Sequence, residues 1–535
     1  MNIAEYIVKI LKLEGIDTVF GYQGGNVTYL IDAISREESI EYVQSYQEQG
    51  AAFAANAYAQ VSQNFGVALS SSGPGAINLI NGIANAYYDS IPCLFLTGNI
   101  NTATMRESDR FRQNGFQEAD IAGMVKGITK FVKTIHRPEE LPRILEQALY
   151  LMREGRPGPV LLDIPHNIQR AEVKEPAVRG TYVAEEPEIT EDETLESIYT
   201  KITKASRPVL LVGNGGHGEM EKKLLRTFLE RFPMPAVVSL CGKDVIPNDH
   251  SCYRGMIGSY GLPCPNRVLN ESDFVLALGT RMDERQRTVG IDDFLKEAEV
   301  VHVDIDKNEL RHVKKDEICL HMSVKQFLTV FLKRIKENTG DLHHNWIRKT
   351  KDWMEEPIAE EAWIYDSAFK EQLTDILGDI ISDSVVCVDV GNHQMAAAQV
   401  LNIGESSRYL NSAGLGSMGY ALPAAVGAYY AAPDKKIVAI AGDGGFMMNL
   451  QELQLIKREK LSITIIVVNS QGLGMIENYQ KLAMGGRLYG SRWGYEAADF
   501  GKIADAFGLN YWKVRDSKQY PSLKNGDPML IEIEV

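Results

Sequence analysis

Three consecutive α/β domains, each built on a parallel sheet, are what this sequence predicts. The first reason is length: 535 residues exceed one ordinary hydrophobic core, and domains of roughly 150–200 residues divide the chain in three. The second is a recurrent pairing of short, wholly apolar runs with helical stretches, the pattern of parallel strands covered on both faces. The third is a pair of polar, weakly patterned segments between the alternating blocks.

The first block spans residues 1–170. It opens on MNIAEYIVKILKLEG, an amphipathic helix whose scattered charges read as neither a signal peptide nor a membrane span. Strand-like runs follow in DTVF, GVALSSS, PCLFLTG and PVLLDIP. Residues 171–190, rich in Pro and Glu, read as a linker. The second block, 191–335, carries RPVLLVG, AVVSL, FVLALG and VVHVDID. A charged stretch at 336–364 reads as a second linker. The third block, 365–535, contains SVVCVDVG, KKIVAIAGDGG, SITIIVVNS and MLIEIEV. Neither low complexity nor a short-period repeat interrupts the pattern.

Composition narrows the function. A formal net charge of −15 with 44% hydrophobic residues fits a globular enzyme and disfavours nucleic acid or an anionic membrane as partner. Cys93, Cys241, Cys252, Cys264, Cys319 and Cys387 are scattered without a CxxC pair. That spacing points to reduced cysteines in a cytoplasmic protein rather than a disulfide framework or a zinc site.

The strongest chemical signal lies in the third block. KKIVAIA ends at Gly442-Asp443-Gly444-Gly445, and the next strand, SITIIVV, ends at Asn469-Ser470-Gln471-Gly472. A strand–helix–strand unit of this length sets both strand ends side by side at one carboxyl edge, where α/β proteins bind ligands. Asp443, the Ser470 hydroxyl and the Gly472 carbonyl offer hard oxygens, and the glycines let backbone N–H groups approach an anion. Together they form a cradle suited to Mg2+ bridging a diphosphate. A helix-capping Asp among turn glycines is the blander reading; the spacing to a second oxygen-bearing strand end favours the cradle.

GDGGFMMNLQELQLIKREKLSITIIVVNS resembles the signature of thiamine-diphosphate (ThDP) enzymes, GDG followed by about 25 residues and NN. Ser470 stands where that family has its metal-binding Asn, with Asn469 as a fallback ligand. The resemblance implies ThDP and Mg2+ as cofactors, and pyrimidine-binding, central Rossmann-like and diphosphate-binding domains in that order. In IEYVQSYQEQGAAFAANAYAQ it places at Glu48 the acid that activates the cofactor's aminopyrimidine, with Gln47 where the family usually has His. GYQGG resembles the family's GYPGG turn and assigns Gly24 and Gly25 to the cofactor; SSGPGAIN assigns Pro74 and Asn78. Gly391, Asn392, His393 and Gln394 resemble a diphosphate-binding turn. In SAGLGSMGYALP the resemblance gives the 4′-amino contact to the Gly416 carbonyl and the wedge under the bent cofactor to Met418.

Among such enzymes the sequence resembles acetolactate synthases, which decarboxylate a 2-keto acid and join the remaining unit to a carbonyl acceptor. Phe116, Gln117 and Lys130 fall where those enzymes carry Phe, Gln and Lys near substrate. QGLGMIENYQ resembles their GMVxQWQ segment, with Leu473, Gly474 and Met475 on the cofactor and Ile476 and Tyr479 replacing Val and Trp on the substrate side. The family's sites lie between subunits, implying a homodimer or homotetramer. GSRWGYEAADFGKIADAFG instead resembles relatives that add a two-carbon unit to a nucleotide-linked keto sugar in surface-polysaccharide pathways; a catalytically silent ThDP-binding relative is a further alternative.

Gly213-x-Gly215-x-x-Gly218 is a literal dinucleotide fingerprint, yet the acid due at the end of the next strand is missing from PAVVSL. The resemblance makes this region the family's central domain, which holds FAD in some members and nothing in others. Gly215, Gly216, Gly279, Arg281, Asp283, Arg285 and Asp304 are the residues it assigns to FAD. Alternatively, Arg281 and Asp283 form a structural ion pair.

Overall fold

Short runs of Val, Ile, Leu and Ala need cover on both faces, and in the computed structural model they obtain it in three six-stranded sheets. The structure describes residues 1–106, 108, 110–174, 192–288, 290, 293–310, 317–514 and 526–535; most of the 171–190 linker lies outside the described residues. The first sheet comprises β1 (Thr18–Gly21), β2 (Glu41–Gln44), β3 (Gly66–Ser70), β4 (Cys93–Asn99), β5 (Phe131–Thr134) and β6 (Val160–Pro165), in the order β2-β1-β3-β4-β6-β5. The second has β7 (Pro208–Val212), β8 (Ala236–Val238), β9 (Tyr253–Met256), β10 (Phe274–Leu278), β11 (Glu299–Asp304) and β12 (Ile318–His321), ordered β12-β11-β10-β7-β8-β9. The third is formed by β13 (Ser384–Val388), β14 (Arg408–Asn411), β15 (Lys436–Gly442), β16 (Ile463–Asn469), β17 (Asn510–Lys513) and β18 (Met529–Glu534), ordered β14-β13-β15-β16-β18-β17. Every strand pair whose register is described is parallel.

The first and third sheets share one strand order, although their sequences show no repeat. The second has the order of a dinucleotide-binding sheet. Met1–Ala184, Val385–Gly391 and Leu410–Val535 form one compact unit, and Glu185–Ser384 with Asn392–Tyr409 form another.

The 336–364 segment departs from its expected linker role. It contains a helix, His344–Glu355, whose Trp346 and Trp353 are buried in the second unit's core beside Val209, Val275 and Val300. The Trp346 indole donates to the Pro208 carbonyl (3.1 Å), and the Arg254 guanidinium donates to Thr350 (2.8 Å) and the Ile347 carbonyl (2.8 Å). Charges on its outer face hid this anchoring.

Within the first unit, two helices of small residues pack against each other. Glu48–Ser62 buries Gly50, Ala51, Ala52, Ala54, Ala55, Ala57 and Ala59, and Ala421–Ala431 is similarly apolar. Neither helix has a polar face to spare because both are covered all round. Phe53 meets Tyr420 edge to face (5.5 Å between centroids), and Gln60 donates to the Tyr420 hydroxyl (3.2 Å). A methyl group at Gly427 would run into the Ala54 carbonyl. Gly427→Ala is therefore expected to cost about 1–3 kcal/mol through overpacking, read as a lower urea midpoint at unchanged m-value.

Candidate active site

β15 and β16 pair in parallel with Gly442 opposite Val468, so the residues leaving both strands emerge together. Asp443 opens the helix Asp443–Met448. Its Oδ2 accepts the Gly472 N–H (3.0 Å) and its Oδ1 the Gly444 N–H (3.1 Å). The Ser470 hydroxyl donates to the Gly472 carbonyl (2.8 Å). The carboxylate is thus tied to the turn that carries the hydroxyl and the carbonyl. Burial pushes the Asp443 carboxyl upward, against the two backbone donors. Asn469, the fallback ligand, is buried, its amide donates to Glu532 (2.7 Å), and its Oδ1 accepts from Gln471.

The cradle has walls. A Cβ on Gly444 would lie 2.7 Å from Leu473, 3.5 Å from Met418 and 3.4 Å from the Tyr495 hydroxyl. Gly416, at φ +74°, has open space where a side chain would project. Gly474 and Met475 begin the helix Gly474–Ala483, which carries Ile476 and Tyr479 exposed. These observations fit the diphosphate and thiazolium parts of the expected cofactor. Gly391 follows the third sheet's β13, and Asn392, His393 and Gln394 are buried at the start of the helix Asn392–Val400 in the second unit.

Asp389, which sequence reasoning passed over, ties this edge together. It accepts the N–H groups of Val390 (2.7 Å) and Gly419 (2.9 Å), and a Cβ on Gly445 would come within 3.0 Å of its carboxylate. Burial raises its pKa to about 7, opposed by those donors. Also missed was the stretch around Ser491–Tyr495. Ser491 accepts the Leu473 N–H (2.9 Å), and Arg492 donates to the Gln471 carbonyl (3.0 Å) and pairs with buried Glu477 (3.0 Å). The Tyr495 hydroxyl bonds Asp443, and burial, followed by that carboxylate's charge, pushes its pKa up to about 12. An Arg and a Tyr in GSRWGY were the available signals.

Glu48 is the first residue of its helix, directly beyond β2. Its Oε2 accepts from the Asn78 amide (3.0 Å), and its Oε1 lies 3.0 Å from where Gly75 would carry a Cβ. Pro74 starts the helix Pro74–Asn78. A Cβ at Gly24 would meet Ser71 at 2.5 Å; beside it, past Gly25, Asn26 donates to Ser71 and Ser72. Gln117 packs over Gly73, whose Cβ would sit 3.0 Å from the Gln117 carbonyl, and neighbouring Phe116 is 86% exposed. Gly24, Gly25, Pro74, Asn78, Gln117 and Glu48 therefore line one carboxyl edge. Lys130 does not join them. It precedes β5, at the opposite end of the strand, and its ammonium donates to the carbonyls of Arg156 (2.8 Å) and Glu154. His166, the first residue beyond β6, is at the carboxyl edge instead, its ring 6.2 Å from Tyr29 and its buried Nδ1 without a hydrogen-bond partner.

In the second unit, β7 lies between β8 and β10, so the strand order reverses there. Gly279, at φ +55°, packs on Gly215, and Gly216 packs under Val212, Val245 and Leu225. Arg281 pairs with Asp283 (2.9 Å), Asp283 caps the Arg285 N–H (3.1 Å), and Asp304 accepts the Asp306 N–H (2.8 Å).

Family models assign the same three parts. The N-terminal TPP binding domain of thiamine pyrophosphate enzymes matches residues 1–124, their central domain 195–331, and their C-terminal TPP binding domain 389–532. The chain belongs to the thiamine pyrophosphate enzymes. Within them it is acetolactate synthase-like. It is 34% identical to the acetolactate synthase isozyme 2 large subunit of Escherichia coli K12, over 100% of this chain and 96% of that one. It is 33% identical to the large subunit of Lactococcus lactis, over 99% and 92%, and 34% identical to that of Corynebacterium glutamicum, over 100% and 87%.

A carboxyl group titrating near 7 when folded and near 4 when unfolded lowers stability as pH rises between those values, because the folded state holds the extra proton. Asp389→Asn, which cannot titrate, should therefore trail the wild type most at about pH 4. The gap should narrow toward about pH 7–8 in thermal melts of the cofactor-free protein.

Proposed function

We propose that this chain is a ThDP- and Mg2+-dependent carboligase that decarboxylates pyruvate and transfers the resulting two-carbon unit to a second carbonyl compound, with acetolactate the product when that acceptor is pyruvate. The observation that carries the reading is the Asp443 carboxylate bonded to the Gly472 N–H of the turn that holds Ser470 and the Gly472 carbonyl, beside a cradle walled by Leu473, Met418 and Tyr495. ThDP bound there supplies the electron sink that no protein side chain provides. Asp443, Ser470 and Gly472 would hold Mg2+ through hard oxygens. Glu48 would exchange a proton with the aminopyrimidine, kept in place by its bond from Asn78. Gln117 and Phe116, on the same edge as Glu48, would face the keto acid, with Ile476 and Tyr479 on the acceptor side.

A second copy of the chain completes the site in this reading. Glu48 contacts Asn78 and Gly75 of its own N-terminal domain, and Phe116, Ile476, Tyr479, Met447 and Met448 all present apolar surface around the two edges. In the second unit, the strand reversal beside β7 supports FAD as a structural ligand, since the proposed reaction passes no electrons to an acceptor. The acidic surface and reduced cysteines support a cytoplasmic setting. No helix among the described residues is long and apolar enough to cross a membrane.

Purified protein supplied with pyruvate, ThDP and Mg2+ is expected to release CO2 and form acetolactate. Glu48→Gln should lower kcat by about 10^2–10^4-fold with ThDP still bound. Neither CO2 nor acetolactate from the wild type would overturn the reading.

A further inference from the structure

Between the two sheets of the first unit lies a buried carboxylate that the proposed reaction does not use. Glu452 opens the helix Glu452–Arg458 and is 1% exposed. Its Oε1 accepts the Tyr46 N–H (3.0 Å), and the Gln47 N–H bonds the same carboxylate. Glu48 is the next residue. Two positions on, a Cβ at Gly50 would lie 2.6 Å from Oε1 and 2.9 Å from Cδ, so the carboxylate rests flat against the first helical turn. Arg458 acts on it only through space; its own guanidinium bonds Glu459 (2.6 Å) and the Gln44 carbonyl (3.0 Å).

We propose that Glu452 is a positioning residue for Glu48, a carboxylate from the C-terminal domain that fixes the first turn of the helix on which the catalytic acid stands. This rests on the reading of Glu48 given above. A buried carboxylate held by backbone donors is a costly way to join two domains, because desolvation opposes its charge and, among the described residues, no cation touches it. Burial indeed raises its pKa to about 7. What the arrangement secures is orientation: charge-assisted bonds to two consecutive N–H groups leave the strand-to-helix turn one conformation. The same short segment reaches the other edge of the site. Seven residues before Glu452 is Gly445, packed on Asp389, and Asn449 between them donates to the Gly419 carbonyl (2.7 Å).

The test compares Glu452→Gln, Gly50→Ala, Glu48→Gln and the double variant Glu48→Gln/Glu452→Gln. In cofactor-free protein, amide hydrogen exchange at Tyr46 and Gln47 should quicken about tenfold in Glu452→Gln, as expected for a lost charge-assisted bond. With ThDP and Mg2+ bound, exchange of the thiazolium C2 hydrogen should slow roughly 10- to 100-fold in Glu452→Gln and in Gly50→Ala, with ThDP affinity within about threefold of wild type. The double variant should exchange no more slowly than Glu48→Gln alone, since Glu452 acts through Glu48. Unchanged C2 exchange in Glu452→Gln and Gly50→Ala, beside slow exchange in Glu48→Gln, overturns this proposal alone. Further slowing in the double variant also overturns it. Normal exchange in Glu48→Gln overturns the reading beneath it. If Glu452→Gln fails to fold, Gly50→Ala decides by the same measurements.

Discussion

The site depends on one constraint, the parallel register of β15 and β16. Because Gly442 pairs with Val468, Asp443 and Ser470 leave the sheet side by side, and the Gly472 N–H can bond the Asp443 carboxylate. A slip of one residue would turn every side chain of one strand to the opposite face. That slip is expensive because it would have to repack Val438, Ile440, Ile466 and Val468, which all sit in the interior. Sheet energetics thus sets the geometry of a polar turn that contributes little to stability itself.

Around that turn, three carboxylates are buried against backbone donors rather than paired with cations, unlike Glu477, which pairs with Arg492. Asp443, Asp389 and Glu452 each accept main-chain N–H groups, and burial raises the pKa of each. Such groups are poor stabilisers, but they hold loops in single conformations. Asp389 fastens the turns at Val390 and Gly419, and Glu452 the turn at Tyr46 and Gln47. Asp443 differs in having Ser470 and the Gly472 carbonyl beside it, so a divalent cation would relieve the cost of its charge.

Much of the fold was legible because central parallel strands are short and almost wholly apolar. The runs at β3, β4, β6, β7, β10, β13, β15 and β16 needed no further context. The strands that carried no signal, β5, β9, β12, β14 and β17, are all sheet edges. An edge strand is covered on fewer sides, and the patterns of Phe131–Thr134 and Asn510–Lys513 are only half-buried. The helix at His344–Glu355 hid for a related reason, with two tryptophans inward and charge elsewhere. At the site, motif spacing singled out Asp443 and Ser470 and the family resemblance singled out Glu48, and all three stand just beyond strand ends. Lys130 stands apart from the other site residues of its own chain because its position along the sequence says nothing about which end of β5 it occupies. Asp389, Glu452 and Tyr495 were missed because their roles arise from contacts between segments far apart in sequence.

The proposed chemistry depends most directly on Asp443 holding Mg2+ beneath the cofactor's phosphates. Titration with ThDP, followed by the protein's intrinsic fluorescence in Mg2+ and again in EDTA, measures this. Wild type should lose affinity by about 10- to 100-fold or more without the metal, whereas Asp443→Asn should bind weakly and indifferently to Mg2+. Equal, Mg2+-dependent affinity in both proteins would contradict it.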